Sequence, residues 1–349
     1  MSSSDSYYIE ILNNIPIYLH KYFATFLYII GNIGNLLAII VFFKRSWRKN
    51  VCVLYFLICL FANTIFINST LLGAIFTLGF NINLQNSSVV LCKLFYYIAC
   101  LTSTYYPVIL ILASIDRLLT SSQNVDTRLY SSKRLAYFST SIATFICSIF
   151  SLHILIKVNI QEIYPTVFIC YYDLSQYYES FVLYSTLIMT VSIPLLLIIL
   201  STIAFKNVRR IRAIPRQERR QLRSMNKKDF QLLRCLYIQN IIYVVCSLLV
   251  GAAVCYSTTL NIETLTLMER TINTFLNSFG SVLHYIPYCT NFITFICVSK
   301  AFRLEVKRLI FKMVRKDLTT IREEENNQQE AVKDNIEQNH AISTINIKA

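Results

Sequence analysis

The chain has 349 residues, 55% of them hydrophobic and only 15% charged, which is too apolar for a soluble protein of this size. A net charge of +14 raises nucleic acid as a partner, but the basic residues stand in the gaps between long apolar runs, which argues for membrane orientation and against nucleic acid. Eleven cysteines follow no metal-ligand spacing and four histidines (His20, His153, His284, His340) are scattered, so no metal site and no cofactor is expected.

Residues 1–21 are polar, carry Asp5 and Glu10, and lack the basic start and apolar core of a secretory signal; they read as an N-terminal segment outside the membrane. The first span is predicted over 22–43, ending on Lys44-Arg45-Ser46-Trp47-Arg48-Lys49, and the second over 51–79, with Asn63 at mid-membrane. The loop that follows holds the sequon Asn86-Ser87-Ser88, a candidate glycosylation site. The sequon Asn68-Ser69-Thr70 falls inside a span and is expected to stay unmodified. The third span contains the uncharged 22-residue run Leu94–Ile115, which opens just after Cys92 and closes on Asp116-Arg117. At about 1.5 Å per residue it crosses a hydrocarbon core of about 30 Å. An acid–base pair at the edge of a membrane helix is costly and hints at function; the plain alternative is a helix end whose charges reach the headgroups.

A polar loop, 118–134, leads to a fourth span over 135–156 and then to a loop carrying Cys170 among Tyr171, Tyr172, Tyr177 and Tyr178. The fifth span, 178–205, contains Pro194, which a membrane helix tolerates when neighbours re-satisfy the freed backbone. Residues 206–228 hold ten Lys or Arg, and the spacing of Arg209, Arg212, Arg216 and Arg220 predicts that helices five and six extend past the membrane. Spans six and seven follow over 233–260 and 271–299. Residues 300–316 read as an amphipathic helix, with Phe302, Val306, Leu309 and Ile310 apolar and Arg303, Lys307 and Arg308 basic, suited to anionic membrane lipid. The tail, 317–349, is polar and expected to be disordered. The fold class is therefore an all-α membrane protein, a seven-transmembrane helix bundle over 22–299 with a short amphipathic cytoplasmic helix. Twenty-five Lys or Arg on one side against four on the other put the N-terminus outside and the tail in the cytoplasm. Cys92 and Cys170 then both face the oxidising side, where a disulfide is the expectation and two free thiols the alternative.

These residues resemble the rhodopsin-like (class A) G-protein-coupled receptors. Gly34-Asn35 is similar to the family's Gly-Asn pair; Cys92 stands 25 residues before Arg117, the family's spacing from disulfide cysteine to arginine, and Asp116-Arg117-Leu118 resembles Asp-Arg-Tyr. Pro194 matches the fifth-helix proline. Tyr243-Val244-Val245-Cys246 resembles Phe-x-x-Cys, and Asn291-Phe292-Ile293-Thr294-Phe295 resembles Asn-Pro-x-x-Tyr, with Phe302 beyond it. Departures accompany these. Asn63 replaces the second-helix aspartate and Tyr106 a small hydroxyl residue, which argues against a sodium site. The fourth span has no tryptophan. Ser247 and Leu249 replace the sixth-helix tryptophan and proline, and Phe295 and Thr202 replace two tyrosines.

The resemblance implies signal transduction from an extracellular ligand to a heterotrimeric G protein. Arg117 would be held by Asp116 at rest, with Asp229 at the inner end of span six as a second partner; the alternative is that Asp229 offsets Lys227 and Lys228. Residues turned toward the outer cavity would be Ala99, Cys100, Ser103, Thr186, Thr190, Gly251, Ser281 and Tyr285, an uncharged lining. Ala99 stands where amine receptors carry an aspartate and Tyr285 where opsins carry a lysine, so neither ligand class fits. Seven acids in the outer segments (Asp5, Glu10, Glu162, Asp173, Glu179, Glu263, Glu269) against four bases favour a cationic peptide on the loops; a solvated acidic rim is the alternative. A transporter lacks its matched helix breaks here. An enzyme lacks a third group beside Ser281 and His284. A seven-helix ligand-binding or chemosensory protein without G-protein coupling remains the competing class.

Overall fold

The structure, a computed structural model, describes residues 3–122, 130–164, 167–173, 175–213, 227–259 and 266–312. The chain falls into two units, Met1–Lys300 and Ala301–Ala349. The first is a bundle of seven membrane helices. Six helices are individually long and apolar enough to cross a bilayer, and the seventh crossing is a pair of helices bent by 50°.

Helix α1 runs as Ser3–Tyr18, a wider π-helical turn at Leu19–Ala24, and Thr25–Phe42. It is longer than the expected span: residues 3–21, read as a polar segment, are helical because their apolar positions have α7 to pack against. Helix α2 spans Val51–Gly79, matching the expected bounds, and opens on Asn50, whose Oδ1 takes the Cys52 amide at 2.9 Å. Helix α3 spans Val89–Thr120, capped by Ser88, and α4 spans Lys133–Lys157, capped by Ser132. Helix α5 runs as Gln176–Leu187, a π-helical Ile188–Ser192, and Ile193–Ala213. The widened turn sits directly before Pro194, where a proline ring would press on the carbonyl four residues back. Helix α6 spans Lys227–Thr259. Helix α7 comprises Leu267–Cys289 and Asn291–Val298, opened by a capping box between Thr266 and Glu269.

Leu249 leaves α6 unbroken, whereas Pro287 lies inside α7 just before its bend. Asn291 Nδ2 then donates to the Pro287 and Tyr288 carbonyls at 3.2 and 3.1 Å, groups that the bend takes off the regular ladder.

Helix α3 is the central pillar, packed on α2, α4, α5 and α6. Beyond α4 the tyrosine-rich loop forms an antiparallel hairpin, β1 (Val158–Tyr164) and β2 (Val167–Tyr172), with Ile160 opposite Cys170. The strands were not foreseen. A disulfide joins Cys92 at the start of α3 to Cys170 in β2, and Ile154, Val158, Tyr96 and Ile160 pack around it.

In the second unit, residues 301–312 are helical, with Arg308 Nη1 2.9 Å from Glu305 Oε1. Positions 302, 306 and 309 are apolar at helical spacing, and 303 and 307 are basic. The remainder of the expected amphipathic helix (313–316), the expected disordered tail (317–349), and Arg128, Arg216, Arg220 and Glu263 lie outside the described residues.

Close helix contact rests on specific glycines. A Cβ on Gly34 would stand 2.7 Å from Phe292 Cβ, the root of a side chain that cannot swing away, whereas a Cβ on Gly280 would meet Ala253 at an ordinary 3.8 Å. Gly34→Ala is expected to cost about 1–3 kcal/mol and to lower the thermal midpoint of the purified protein, while Gly280→Ala leaves it within about 0.5 kcal/mol. Equal midpoints for the two variants would remove the α1–α7 contact as the reason for Gly34.

Candidate functional site

At the hairpin end of the bundle the helices enclose a cavity of about 490 Å³, within the roughly 300–1,000 Å³ of small-molecule sites. Of the eight residues expected to line it, Ala99, Cys100 and Ser103 (α3), Thr186 and Thr190 (α5), and Ser281 and Tyr285 (α7) do so. Gly251 does not. It lies against α5, where a Cβ would stand 3.1 Å from Thr190 Oγ1, so it sets the α5–α6 approach and leaves the wall to its neighbours Val250, Ala253 and Val254. The wall also includes Phe66, Phe150, Phe181 and Tyr243 and two imidazoles, His153 and His284, that helical register alone did not select.

The lining contains no Asp, Glu, Lys or Arg. An ion taken into such a site without a counter-charge costs several kcal/mol. A cation stacked on aromatic faces recovers only about 2 kcal/mol, so the site favours uncharged groups. Several hydroxyl protons on the wall are turned onto their own helices: Ser103 and Thr104 donate to the Cys100 carbonyl at 3.0 and 2.8 Å, Thr186 to Val182 at 2.8 Å, Thr190 to Thr186 at 2.8 Å and Ser281 to Ser278 at 2.7 Å. His20 of α1, not His284, is the imidazole that reaches Ser281: its Nε2 lies 3.1 Å from Ser281 Oγ and its Nδ1 2.9 Å from the Pro16 carbonyl. The Pro16 carbonyl can only accept, so Nδ1 carries the proton of the neutral ring and Nε2 accepts from Ser281 Oγ, whose one proton is shared between this nitrogen and the Ser278 carbonyl; the contact ties α1 to α7.

The hairpin is held over this end by three kinds of bond. The disulfide is one. Asn86, the candidate sugar acceptor, is another: its Oδ1 takes the Cys170 amide at 2.9 Å and its Nδ2 donates to the Phe168 carbonyl at 3.4 Å. The third is an ion pair between Lys157 Nζ and Asp173 Oδ2 at 2.8 Å, closed by the Asp173 amide on the Lys157 carbonyl at 2.7 Å. The Lys157 ammonium and the Ser175 N–H hold the Asp173 carboxyl below its ordinary value.

Midway along the bundle, α6 is clamped by two adjacent buried amides. Gln239 Nε2 donates to Asn291 Oδ1 of α7 at 2.7 Å, and Asn240 Nδ2 donates to Ser114 of α3 at 2.9 Å and Ser201 of α5 at 2.7 Å. These residues escaped sequence reasoning, although two consecutive amides inside an apolar run were the available signal. Tyr243 packs edge-on to Tyr106, and Cys246 is buried one turn further along α6. In α1 and α2, Asn35 Nδ2 donates to the Tyr288 carbonyl at 3.4 Å, while no described protein group bonds the Asn63 amide. Among the described residues no group of three or more His, Cys, Asp and Glu is placed to hold a metal.

At the opposite end, Asp116 and Arg117 are both buried. The Arg117 Nε and Nη2 donate to Asp116 Oδ2, and Ser131 of the following loop donates to Asp116 Oδ1 at 2.6 Å. Arg117 borders a crevice against Ala204, Leu233 and Leu236 that measures about 10 Å³, too small for more than one water. Asp229 accepts a hydrogen bond from Asn50, and Lys228 stands 5.2 Å above the Trp47 ring, so the end of α6 is tied to the α1–α2 loop. Phe295 packs edge-on against Phe42 and Phe56, with centroids at 4.9 and 5.0 Å.

A seven-helix membrane bundle with a disulfide-anchored hairpin over a cavity and a buried Asp–Arg pair at the far end has the architecture of a membrane receptor. The sequence profile of the 7 transmembrane receptor (rhodopsin family) matches residues 34–294, and the chain belongs to this family, the class A G-protein-coupled receptors. Among curated proteins, none matches the chain.

Two outcomes follow from this geometry. Asn240→Leu removes both clamps to α3 and α5 at a cost of about 1 kcal/mol, and hydrogen exchange in the inner half of α6 is expected to rise about fivefold; unchanged exchange would mean that apolar packing alone holds the helix. Because the Asp173 carboxyl titrates lower in the folded protein than in the unfolded chain, its ion pair is intact above about pH 4 and is lost as pH falls through the lowered folded value. The ratio of the rates at which a phosphine reduces the buried Cys92–Cys170 bond in Asp173→Asn and in the unaltered protein, taken at each pH so that protonation of the phosphine cancels, should therefore exceed one from pH 8 to 5 and fall toward one below about pH 4. A ratio of one throughout would remove the ion pair as a restraint on the hairpin.

Proposed function

We propose that this chain is a G-protein-coupled receptor of the plasma membrane, with its N-terminus and hairpin outside and its Arg117 end in the cytoplasm. An extracellular ligand occupies the cavity, and a heterotrimeric G protein engages the Arg117 end. The observation that carries this reading is the opposition, within one bundle, of an uncharged cavity and a buried Asp116–Arg117 pair, joined by a helix α6 that touches both. The orientation is supported by the excess of Lys and Arg in the Arg117-end loops.

The resting form is a closed one. Asp116 holds Arg117, the crevice beside it admits no partner, and α6 is fastened by Gln239, Asn240 and the Asp229–Asn50 bond. Ligand that favours an outward swing of α6 breaks these contacts and opens a groove in which the Arg117 guanidinium meets the G protein. Asp229 acts in this scheme as a second restraint on Arg117, through space. The ligand's source is a peptide in the reading that the acidic outer segments support, although Asp173 is already paired with Lys157 and Glu269 is engaged in its capping box. Asn86 stays a glycosylation candidate, in competition with its bonds to β2. A second reading, a ligand-binding or chemosensory protein without G-protein coupling, is favoured by Phe295, which brings an aromatic face but no hydroxyl to the inner bundle.

Purified receptor in lipid discs, assayed for nucleotide exchange on a panel of G proteins across a peptide library, separates the two. Coupling predicts exchange that Arg117→Ala abolishes and a basal rate that Asp229→Ala raises roughly fivefold. No exchange on any G protein, with ligand binding intact, selects the second reading. An unchanged basal rate in Asp229→Ala at normal expression removes Asp229 from the restraint.

A further inference from the structure

The cavity's hydrogen-bonding capacity is lopsided in a way that defines its occupant. The wall hydroxyls of Ser103, Thr186, Thr190 and Ser281 donate to their own helices and present only lone pairs to the cavity. The imidazoles differ. His153 uses Nδ1 on the Phe150 carbonyl at 2.5 Å, leaving Nε2. His284 lines the cavity between the rings of Phe66, Tyr285 and Tyr288, and among the described residues neither of its nitrogens has a hydrogen-bond partner. A neutral imidazole offers one N–H and one lone pair, so His284 is equipped to give and to take a hydrogen bond at once. The rest of the wall is mainly aromatic and aliphatic, with the hydroxyls of Tyr96, Tyr243, Ser247 and Tyr285 and the Asn277 amide among it, and none of it is ionised carboxylate, ammonium or guanidinium.

Resting on the receptor reading above, we propose that the cavity binds an uncharged, aromatic-rich group bearing a hydroxyl or a similar donor–acceptor, with His284 as its polar anchor and His153 as a second contact. The aromatic body is buried among Phe66, Phe150, Phe181 and Tyr243, which supplies affinity, and the single polar group fixes orientation. A charged counterpart of the same shape is rejected, because nothing in the wall neutralises it. The occupant is either a whole small molecule or the side chain of a larger peptide; the shared chemistry is the same.

Cys100, a free cysteine in the wall, is a built-in reporter. The rate at which methyl methanethiosulfonate modifies it in the full chain in lipid discs, read by mass spectrometry of the Cys100 peptide, measures whether the space is occupied. The probes are 1-naphthaleneethanol, its hydrocarbon counterpart 1-ethylnaphthalene, the ammonium 1-naphthaleneethylamine and the carboxylate 1-naphthaleneacetate. Acetyl-tyrosinamide and acetyl-lysinamide serve as the peptide arm. The alcohol should protect Cys100 at about fivefold lower concentration than the hydrocarbon, and the two ions should not protect in the same range. His284→Leu should abolish the alcohol's advantage while leaving the hydrocarbon's effect, and His284→Gln should restore most of it. Protection by acetyl-tyrosinamide but not acetyl-lysinamide assigns the group to a peptide; protection by the free alcohol alone assigns a small molecule. Equal or better protection by either ion overturns the proposal, as does labelling that no probe slows. Because no G protein takes part, failure here leaves the coupling result untouched, and absence of coupling leaves this result standing.

Discussion

Inside a bilayer a polar group has only its own chain to bond to, and most of this structure follows from that constraint. Serine and threonine hydroxyls turn back onto the carbonyl four residues earlier, as at Thr64, Thr102, Thr140, Thr186 and Ser151. Amides that cannot do so reach across to other helices: Asn68 bonds Asn32 and Tyr28 between α2 and α1, Gln239 bonds Asn291, and Asn240 bonds Ser114 and Ser201. The carbonyls exposed by the α7 bend are covered by the Asn291 amide. The contacts that cross between helices each hold two of them in one register, so meeting the polar requirement also helps determine where the helices sit.

Arg117 is the most demanding case. A guanidinium cannot shed its charge, and buried it must be neutralised and hydrogen-bonded at close range. Its neighbour in sequence, Asp116, does both, and Ser131 orients the carboxylate from the other side. That arrangement keeps a neutralised cation buried in the bundle. The cavity end shows the opposite solution, since its wall carries no ionised group and only neutral polar ones, two imidazoles, hydroxyls and the Asn277 amide. The contrast between the two ends is what makes the bundle directional.

Much of this was legible in the residues. Spans two and four were predicted to within two positions because long apolar runs bounded by charge have few alternatives in lipid, and Cys92, Asp116 and Arg117 stand at the edges of the third run, which the helix oversteps by five residues at each end. Seven cavity residues followed from the register of the receptor family that the chain resembles. Register placed Gly251 wrongly because a residue without a side chain takes its surroundings from the neighbouring helix, here Thr190. His153 and His284 went unselected because neither belongs to a motif.

Hydropathy and local motifs are properties of contiguous residues, so the segments that enter the membrane, the loops that carry basic charge and the family resemblance could be read from the chain alone. Folding was needed to show that residues 3–21 continue α1, that a tyrosine-rich loop forms a hairpin, that His20 meets Ser281 across 261 positions, and that Gln239 and Asn240 bind three helices to α6. The physical reason is that each depends on a partner far away in the chain, and a polar group's choice among several possible partners is made by packing rather than by its own sequence neighbourhood.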